Sequence, residues 1–204
     1  MTPEFVRDAL DSLAERDTDM ARAIKQFGYP EPRNRVPGFG ALIDIIAGQQ
    51  VSTFAARAIR GRLVEAVDPL TPENFLAADD ETLRAVGLSR RKVEYGRGIA
   101  EAMRTGSLDA DCLATASDDD VIAALTALRG LGRWSAEIYM LFALRRPDVW
   151  PAEDLAIQEA LRRLKGLDER PLRKQSEPIV EAWRPWRGVG ALFLWHYYKG
   201  VPVD

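Results

Sequence analysis

The stretch LRGLGRWSA, residues 128–136, decides the fold prediction, because it places two glycines between two helical patterns. Gly130 and Gly132 flank Leu131, so the chain can turn tightly there while the backbone N–H groups that open the next helix stay uncovered. Uncovered N–H groups at the positive end of a helix dipole attract anions such as phosphate. A glycine pair between two helices is also typical of an ordinary helix C-cap, so both interpretations stay open at this point.

A second stretch, WPAEDLAI at residues 150–157, contains the carboxylate of greatest interest. Asp154 follows Pro151 near an expected helix start, so one interpretation is that its side chain caps that helix. The neighbouring Glu153 could cap it equally well. The other interpretation is a catalytic acid.

Apolar residues recur at helical spacing along most of the chain, and no alternating run is long enough to anchor a sheet. The predicted fold class is therefore all-α. Capping residues, glycines and prolines divide the chain into helices at about 39–67, 89–104, 133–144, 153–164, 172–182 and 187–198, with others beginning near Thr71, Asp79 and Ser117. We expect a single unit over residues 1–204, with a two-helix hairpin at about 117–144 and the Asp154 segment at about 150–164.

The composition excludes several kinds of site. Cys112 is the only cysteine and His196 the only histidine, which excludes a disulfide within the chain, a zinc site of the usual Cys/His kind and a four-cysteine iron–sulfur cluster. The net charge of −3 argues against broad nonspecific affinity for nucleic acid but leaves room for a local basic face. No run of about 18 apolar residues could span a bilayer, and the start MTPEFVRD lacks a secretory signal pattern, so we expect a cytoplasmic protein without a membrane partner.

Three further segments give the hairpin a context. Besides LRGLGRWSA and Asp154, the chain contains LIDIIAGQQVS at 42–52, GLSRRK at 87–92, and RPWR at 184–187 leading to Trp195. Taken in chain order, the five segments resemble the helix-hairpin-helix DNA glycosylase superfamily, and within it the alkylpurine (3-methyladenine glycosylase II-like) group. The resemblance implies an all-α, two-lobed core with a DNA-binding cleft between the lobes, in the compact form without an N-terminal β domain.

The resemblance also implies roles for single residues. Asp154 is the expected catalytic acid. Trp134 and Trp195 match aromatic positions of the base pocket, which Tyr139 and Phe39 could extend, whereas Trp183 and Trp186 are expected in the core. A carboxylate beside the sugar stabilises positive charge at C1′ and can orient a water, and aromatic faces attract a cationic methylated base.

The DNA contacts implied by the resemblance come from the hairpin and from a basic helix start. Gln50 matches the position that fills the gap left by a flipped base. The hairpin contacts expected are Gly130, Leu131, Gly132, Arg133 and Ser135, and the phosphate contacts Arg90, Arg91, Lys92 and Arg97. No cofactor is expected to be required, but hairpins of this family often bind Na⁺ or K⁺ through backbone carbonyls, here those of Thr126, Leu128 and Leu131.

One departure from the family pattern is informative. Glycosylases that also cleave the strand carry a lysine in the hairpin, where this chain has Trp134, so no amine nucleophile is available. We therefore expect a monomeric, monofunctional glycosylase that excises 3-methyladenine and 7-methylpurines from duplex DNA. The alternatives are a relative for neutral lesions such as hypoxanthine, ethenoadenine, uracil or an oxidised purine, and a noncatalytic DNA-binding module.

Overall fold

The computed structural model describes residues 1–200, and over this range all regular structure is helical. The predicted all-α class is therefore confirmed. The helices are α1 Pro3–Ala14, α2 Thr18–Phe27, α3 Phe39–Gly48, α4 Thr53–Ala66, α5 Pro72–Ala77, α6 Asp80–Ala85, α7 Arg90–Arg104, α8 Ala110–Thr115, α9 Asp118–Thr126, α10 Arg133–Phe142, α11 Leu155–Lys165, α12 Arg173–Val180 and α13 Arg187–Gly200, with a 3₁₀ turn at Glu181–Trp183. Within the described range, no helix has the length and apolar character needed to cross a membrane.

The chain divides into two compact units. Unit 1 combines Met1–Asn34 with the chain from Arg145 onward, and unit 2 is the continuous segment Arg35–Leu144. The predicted hairpin thus lies wholly in unit 2, and the Asp154 segment lies wholly in unit 1. This division agrees with the expectation of two lobes.

Side-chain caps fix most helix starts. Thr71, Asp79, Ser89 and Ser117 each accept a hydrogen bond from a backbone amide in the first turn of the helix that follows, which confirms the starts predicted at these residues. The prediction of one helix over 39–67 is wrong. The chain breaks between α3 and α4, because Gln50 adopts a positive φ of 56° and Ser52 caps a new helix.

The core of unit 2 is built around α3. Seven of its ten residues are buried, and the helix packs against α4, α7 and α10. The end of α3 and the start of α10 are thereby held in the same unit as the hairpin turn.

The core of unit 1 is built around α13. Its residues from Gly188 to Trp195 are buried and pack against α1, α2 and α11. Trp183 is fully buried and donates its indole N–H to Asp17 Oδ2 over 2.7 Å, as expected for a core residue. Trp186 is only half-buried and packs edge-on against Phe5 at 5.4 Å between ring centroids.

Candidate functional site

The hairpin of unit 2 joins α9 to α10 through residues 127–132. Gly130 has a φ of +93°, and a Cβ added there would overlap the ring of Tyr95 on α7. Leu131 is buried and its amide donates to the Leu128 carbonyl over 3.1 Å, so its side chain is a core anchor of the turn. The chain itself therefore requires glycine at position 130.

Gly132 is in a different situation. Its backbone is extended, with a φ of −97°, and a Cβ added there would meet no described atom within 4 Å. It is the N-cap of α10, and no side chain caps that helix. Nothing in the described chain requires glycine here, so the open space at the start of α10 is free for an external group such as a phosphate.

The amide side chain of Gln49 joins the end of α3 to the hairpin. Its Nε2 atom donates to the Gly130 carbonyl over 2.9 Å and to Ser135 Oγ over 3.3 Å. The sequence analysis predicted no role for Gln49, although its neighbour Gln50 is the residue predicted to fill the gap in the duplex. Ser135 is 2% exposed and lies in the first turn of α10, so the DNA contact predicted for it would be made through its backbone amide.

Gln50 follows Gln49 just beyond the C-terminus of α3. Its positive φ places it at the corner between α3 and α4, and its side chain is exposed. Val51 and Phe54 beside it are 39% and 83% exposed, so an apolar surface accompanies the amide. The placement fits the predicted role of Gln50 in a duplex gap, and Phe54 is an exposed aromatic that the sequence analysis missed.

Two of the predicted phosphate contacts are structural. Lys92 Nζ donates to the carbonyls of Ala47 and Gln49, each over 2.8 Å, and burial lowers its pKa. Lys92 therefore binds the C-terminal carbonyls of α3, where a cation is favoured by the helix dipole. The Arg97 guanidinium is likewise taken up by the carbonyls of Leu76 and Ala78 and by Asp80.

The other predicted cations remain accessible. Arg90 and Arg91 are exposed at the start of α7. Arg133 is half exposed and its Nε donates to Glu137 Oε1 over 3.0 Å. These three arginines remain the predicted phosphate contacts.

The backbone carbonyls of Thr126, Leu128 and Leu131 are the predicted ligands of a monovalent cation. The Leu128 oxygen accepts the Leu131 amide, and no hydrogen bond within the described residues engages the oxygens of Thr126 or Leu131. Neutral carbonyl oxygens are ligands of the kind that hard cations prefer. The donor set therefore fits Na⁺ or K⁺, and ion binding stays a prediction.

Two of the expected pocket aromatics lie in the core of unit 2. Tyr139 is fully buried, its hydroxyl accepts the Gly38 amide over 3.0 Å, and burial raises its pKa. Phe39 is 5% exposed and packs edge-on against Phe75. Tyr139 has no exposed surface, which corrects its assignment as a pocket wall, whereas the assignment of Phe39 stays a prediction. Trp134 is half-buried in the first turn of α10 and stays a pocket candidate.

In unit 1 the carboxylate of Asp154 accepts hydrogen bonds from two backbone amides and an indole. Its Oδ1 atom accepts the amides of Ala156 and Ile157, each over 3.0 Å, and the indole N–H of Trp195 over 3.1 Å. The residue is the N-cap of α11 and is half-buried. Glu153, the other acid considered, is bound by Arg173 over 3.0 Å. The hydrogen bonds that fix the orientation of the Asp154 carboxylate therefore favour Asp154 over Glu153 as the candidate catalytic acid.

Trp195 connects this carboxylate to a cation. The residue is 8% exposed, and the Arg33 guanidinium lies 5.7 Å from the centroid of its ring. The indole thus donates to Asp154 from its edge while a positive charge lies over its face. Arg33 was not identified from the sequence.

Known proteins resemble this chain in sequence and in fold. Residues 43–185 match the family described as HhH-GPD superfamily base excision DNA repair protein. DNA-3-methyladenine glycosylase 1 of Schizosaccharomyces pombe is 33% identical to the chain over 92% of this chain and 85% of that protein.

Solved structures of similar fold also include 3-methyladenine glycosylases. The Schizosaccharomyces pombe 3-methyladenine DNA glycosylase in complex with abasic DNA superposes with a TM-score of 0.86 at 32% identity, covering 92% of this chain and 95% of that chain. The Bacillus halodurans DNA-3-methyladenine glycosidase superposes with a TM-score of 0.80 at 32% identity, covering 94% and 89%. This chain belongs to the HhH-GPD superfamily of base excision DNA repair proteins.

Proposed function

We propose that the protein is a monofunctional DNA glycosylase that hydrolyses the N-glycosidic bond of alkylated purines, such as 3-methyladenine and 7-methylpurines, in duplex DNA. The observation that carries this proposal is the carboxylate of Asp154, whose Oδ1 is fixed by two backbone amides and the indole of Trp195. The names of the relatives support the substrate class, since they are 3-methyladenine glycosylases. We further propose that it acts inside the cell, in the cytoplasm and at the nucleoid if the cell is bacterial.

The chemistry follows from where charge develops. As the bond between the base and C1′ lengthens, the sugar becomes positive, and a carboxylate held in a fixed orientation stabilises that charge without having to reorganise. The same carboxylate can orient a water for attack at C1′ and take its proton. A base methylated at N3 or N7 is already cationic and leaves readily, so no strong general acid is needed.

Access to the bond requires the base to leave the duplex. In this proposal the open start of α10 at Gly132 receives a DNA phosphate, and Gln50, with Val51 and Phe54 beside it, enters the gap in the base stack. A Na⁺ or K⁺ ion held by the carbonyls of Thr126, Leu128 and Leu131 would supply a positive charge toward that phosphate. Base edges need not be read, because an enzyme that searches for damage must accept every sequence.

The product should be an abasic site in an unbroken strand, since Trp134 stands where strand-cleaving relatives carry lysine. The test is to incubate the protein with duplexes that carry single 3-methyladenine, 7-methylguanine, hypoxanthine, ethenoadenine or uracil residues. Released bases are measured by chromatography, and strands are analysed with and without alkali. Release of the methylated purines with breaks only after alkali supports the proposal.

Other outcomes would redirect it. Preferential release of a neutral base would contradict the substrate class and leave the reaction intact. Binding to duplex DNA with no release of any base would favour a noncatalytic helix-hairpin-helix module instead.

A further inference from the structure

Arg33 lies over Trp195, one of the two tryptophans predicted to line the base pocket. Its guanidinium lies 5.7 Å from the centroid of the Trp195 ring, and this ring donates to Asp154 from its edge. Methylated purines and guanidinium groups are both planar cations, and both are attracted to the face of tryptophan. The protein therefore already holds a planar cation over the face of Trp195.

We propose that Arg33 is a specificity-determining residue that competes with cationic bases for Trp195. This proposal rests on the function proposed above. A methylated purine that stacks on Trp195 must displace the guanidinium or experience its charge repulsion. A neutral base experiences no such charge repulsion. Arg33 thus lowers the ratio of the excision rate of cationic bases to that of neutral bases. Removing an arginine from a DNA-binding protein usually lowers its activity. Removing Arg33 should instead raise the excision of cationic lesions.

Arg33 lies outside the helices of unit 1. It lies between α2 and α3, in the segment 28–38, which forms no helix or strand. An arginine side chain in such a segment can move by rotating its own bonds without unwinding an element. Trp195, in contrast, is fixed on the buried helix α13.

The charge and the shape of the side chain can be separated by two variants. Arg33→Met keeps much of the aliphatic length and removes the charge, and Arg33→Lys keeps the charge. Single-turnover excision is measured for a duplex with 7-methylguanine, which is cationic, and for one with ethenoadenine, which is neutral. We expect Arg33→Met to raise the ratio of the two rates about tenfold, the size of a moderate cation–π attraction, and Arg33→Lys to keep a ratio near that of the wild type.

A binding measurement tests the inference without relying on excision. Quenching of tryptophan fluorescence is titrated with free 7-methylguanosine, under mildly acidic conditions that keep its base cationic, and with guanosine as the neutral control. Arg33→Met should bind the methylated nucleoside more tightly than the wild type, and Trp195→Phe in the same background should abolish the gain. An unchanged ratio together with unchanged binding, or a loss of cationic excision in Arg33→Met, would overturn the role of Arg33. A wild type that releases no base would instead refute the proposed function, while the quenching titration would still decide whether Arg33 competes.

Discussion

The indole N–H of Trp195 and two backbone amides share one oxygen of Asp154, at 3.0–3.1 Å. Helix capping and catalysis, which the sequence presents as alternative interpretations of this residue, are therefore compatible in the structure. The cap fixes the carboxylate, and a fixed carboxylate is the group that the proposed reaction needs.

Asp154→Asn separates the two roles. The amide oxygen of asparagine can still accept the three donors, so the cap is kept while the negative charge is lost. We expect excision to fall by a factor of about 10²–10³ or more, with a midpoint of thermal unfolding close to that of the wild type. Asp154→Ala, which also removes the cap, should cost about 1 kcal/mol of stability in addition. Unimpaired excision by Asp154→Asn would remove Asp154 from the mechanism.

The two hairpin glycines are expected to respond differently to the same substitution. Gly130→Ala combines a positive φ with overlap onto Tyr95, and we expect a loss of about 3 kcal/mol in the free energy of unfolding. Gly132→Ala meets no neighbour, so its stability should stay within about 0.5 kcal/mol of the wild type. Its affinity for abasic-site DNA should nevertheless fall, by about tenfold, because the methyl group fills the space assigned to the phosphate. Chemical denaturation and fluorescence anisotropy measure the two quantities, and a Gly132→Ala variant with full affinity would place the phosphate elsewhere.

The basic residues around α7 should divide in the same way. Removing Arg90 or Arg91 should reduce the slope of log affinity against log salt concentration by about 0.9 each, the value expected for one lost phosphate contact. Lys92→Met should leave that slope unchanged and cost about 2 kcal/mol of stability, because the carbonyls of Ala47 and Gln49 lose a charged donor. A reduced slope in Lys92→Met would show that this lysine reaches DNA after all.

Features that depend on neighbouring residues in the chain can be predicted from the sequence. Helix starts at Thr71, Asp79, Ser89 and Ser117 were predictable, because a cap and its amide partner lie within three residues of each other. Asp154 could be singled out by its place in an ordered set of motifs.

Interactions between distant residues could not be predicted in the same way. Lys92 resembles a solvated phosphate contact until its carbonyl partners, 43 and 45 residues away, are seen. Arg33 and Trp195 are still further apart in the chain, and only the packing of unit 1 brings them together. The position of the break at Gln50 could not be predicted from apolar spacing, because this spacing continues on both sides and so indicates one long helix.

Asp17 should make the stability of the protein depend on pH at the acidic end. Burial alone would raise its pKa, but hydrogen bonds from Lys165 and Trp183 outweigh burial and hold the pKa below its ordinary value of 3.8. A carboxyl with a lowered pKa in the folded state contributes stability above its unfolded pKa, and this contribution is lost as the pH falls through the folded pKa. We therefore expect the stability difference between the wild type and Asp17→Asn to be constant at neutral pH and to shrink below about pH 4. Urea unfolding across this range measures it, with Asp168→Asn, an exposed acid of the same unit, as the matched control. A difference that persists unchanged at the most acidic pH would mean that the charge of Asp17 does not stabilise the folded protein.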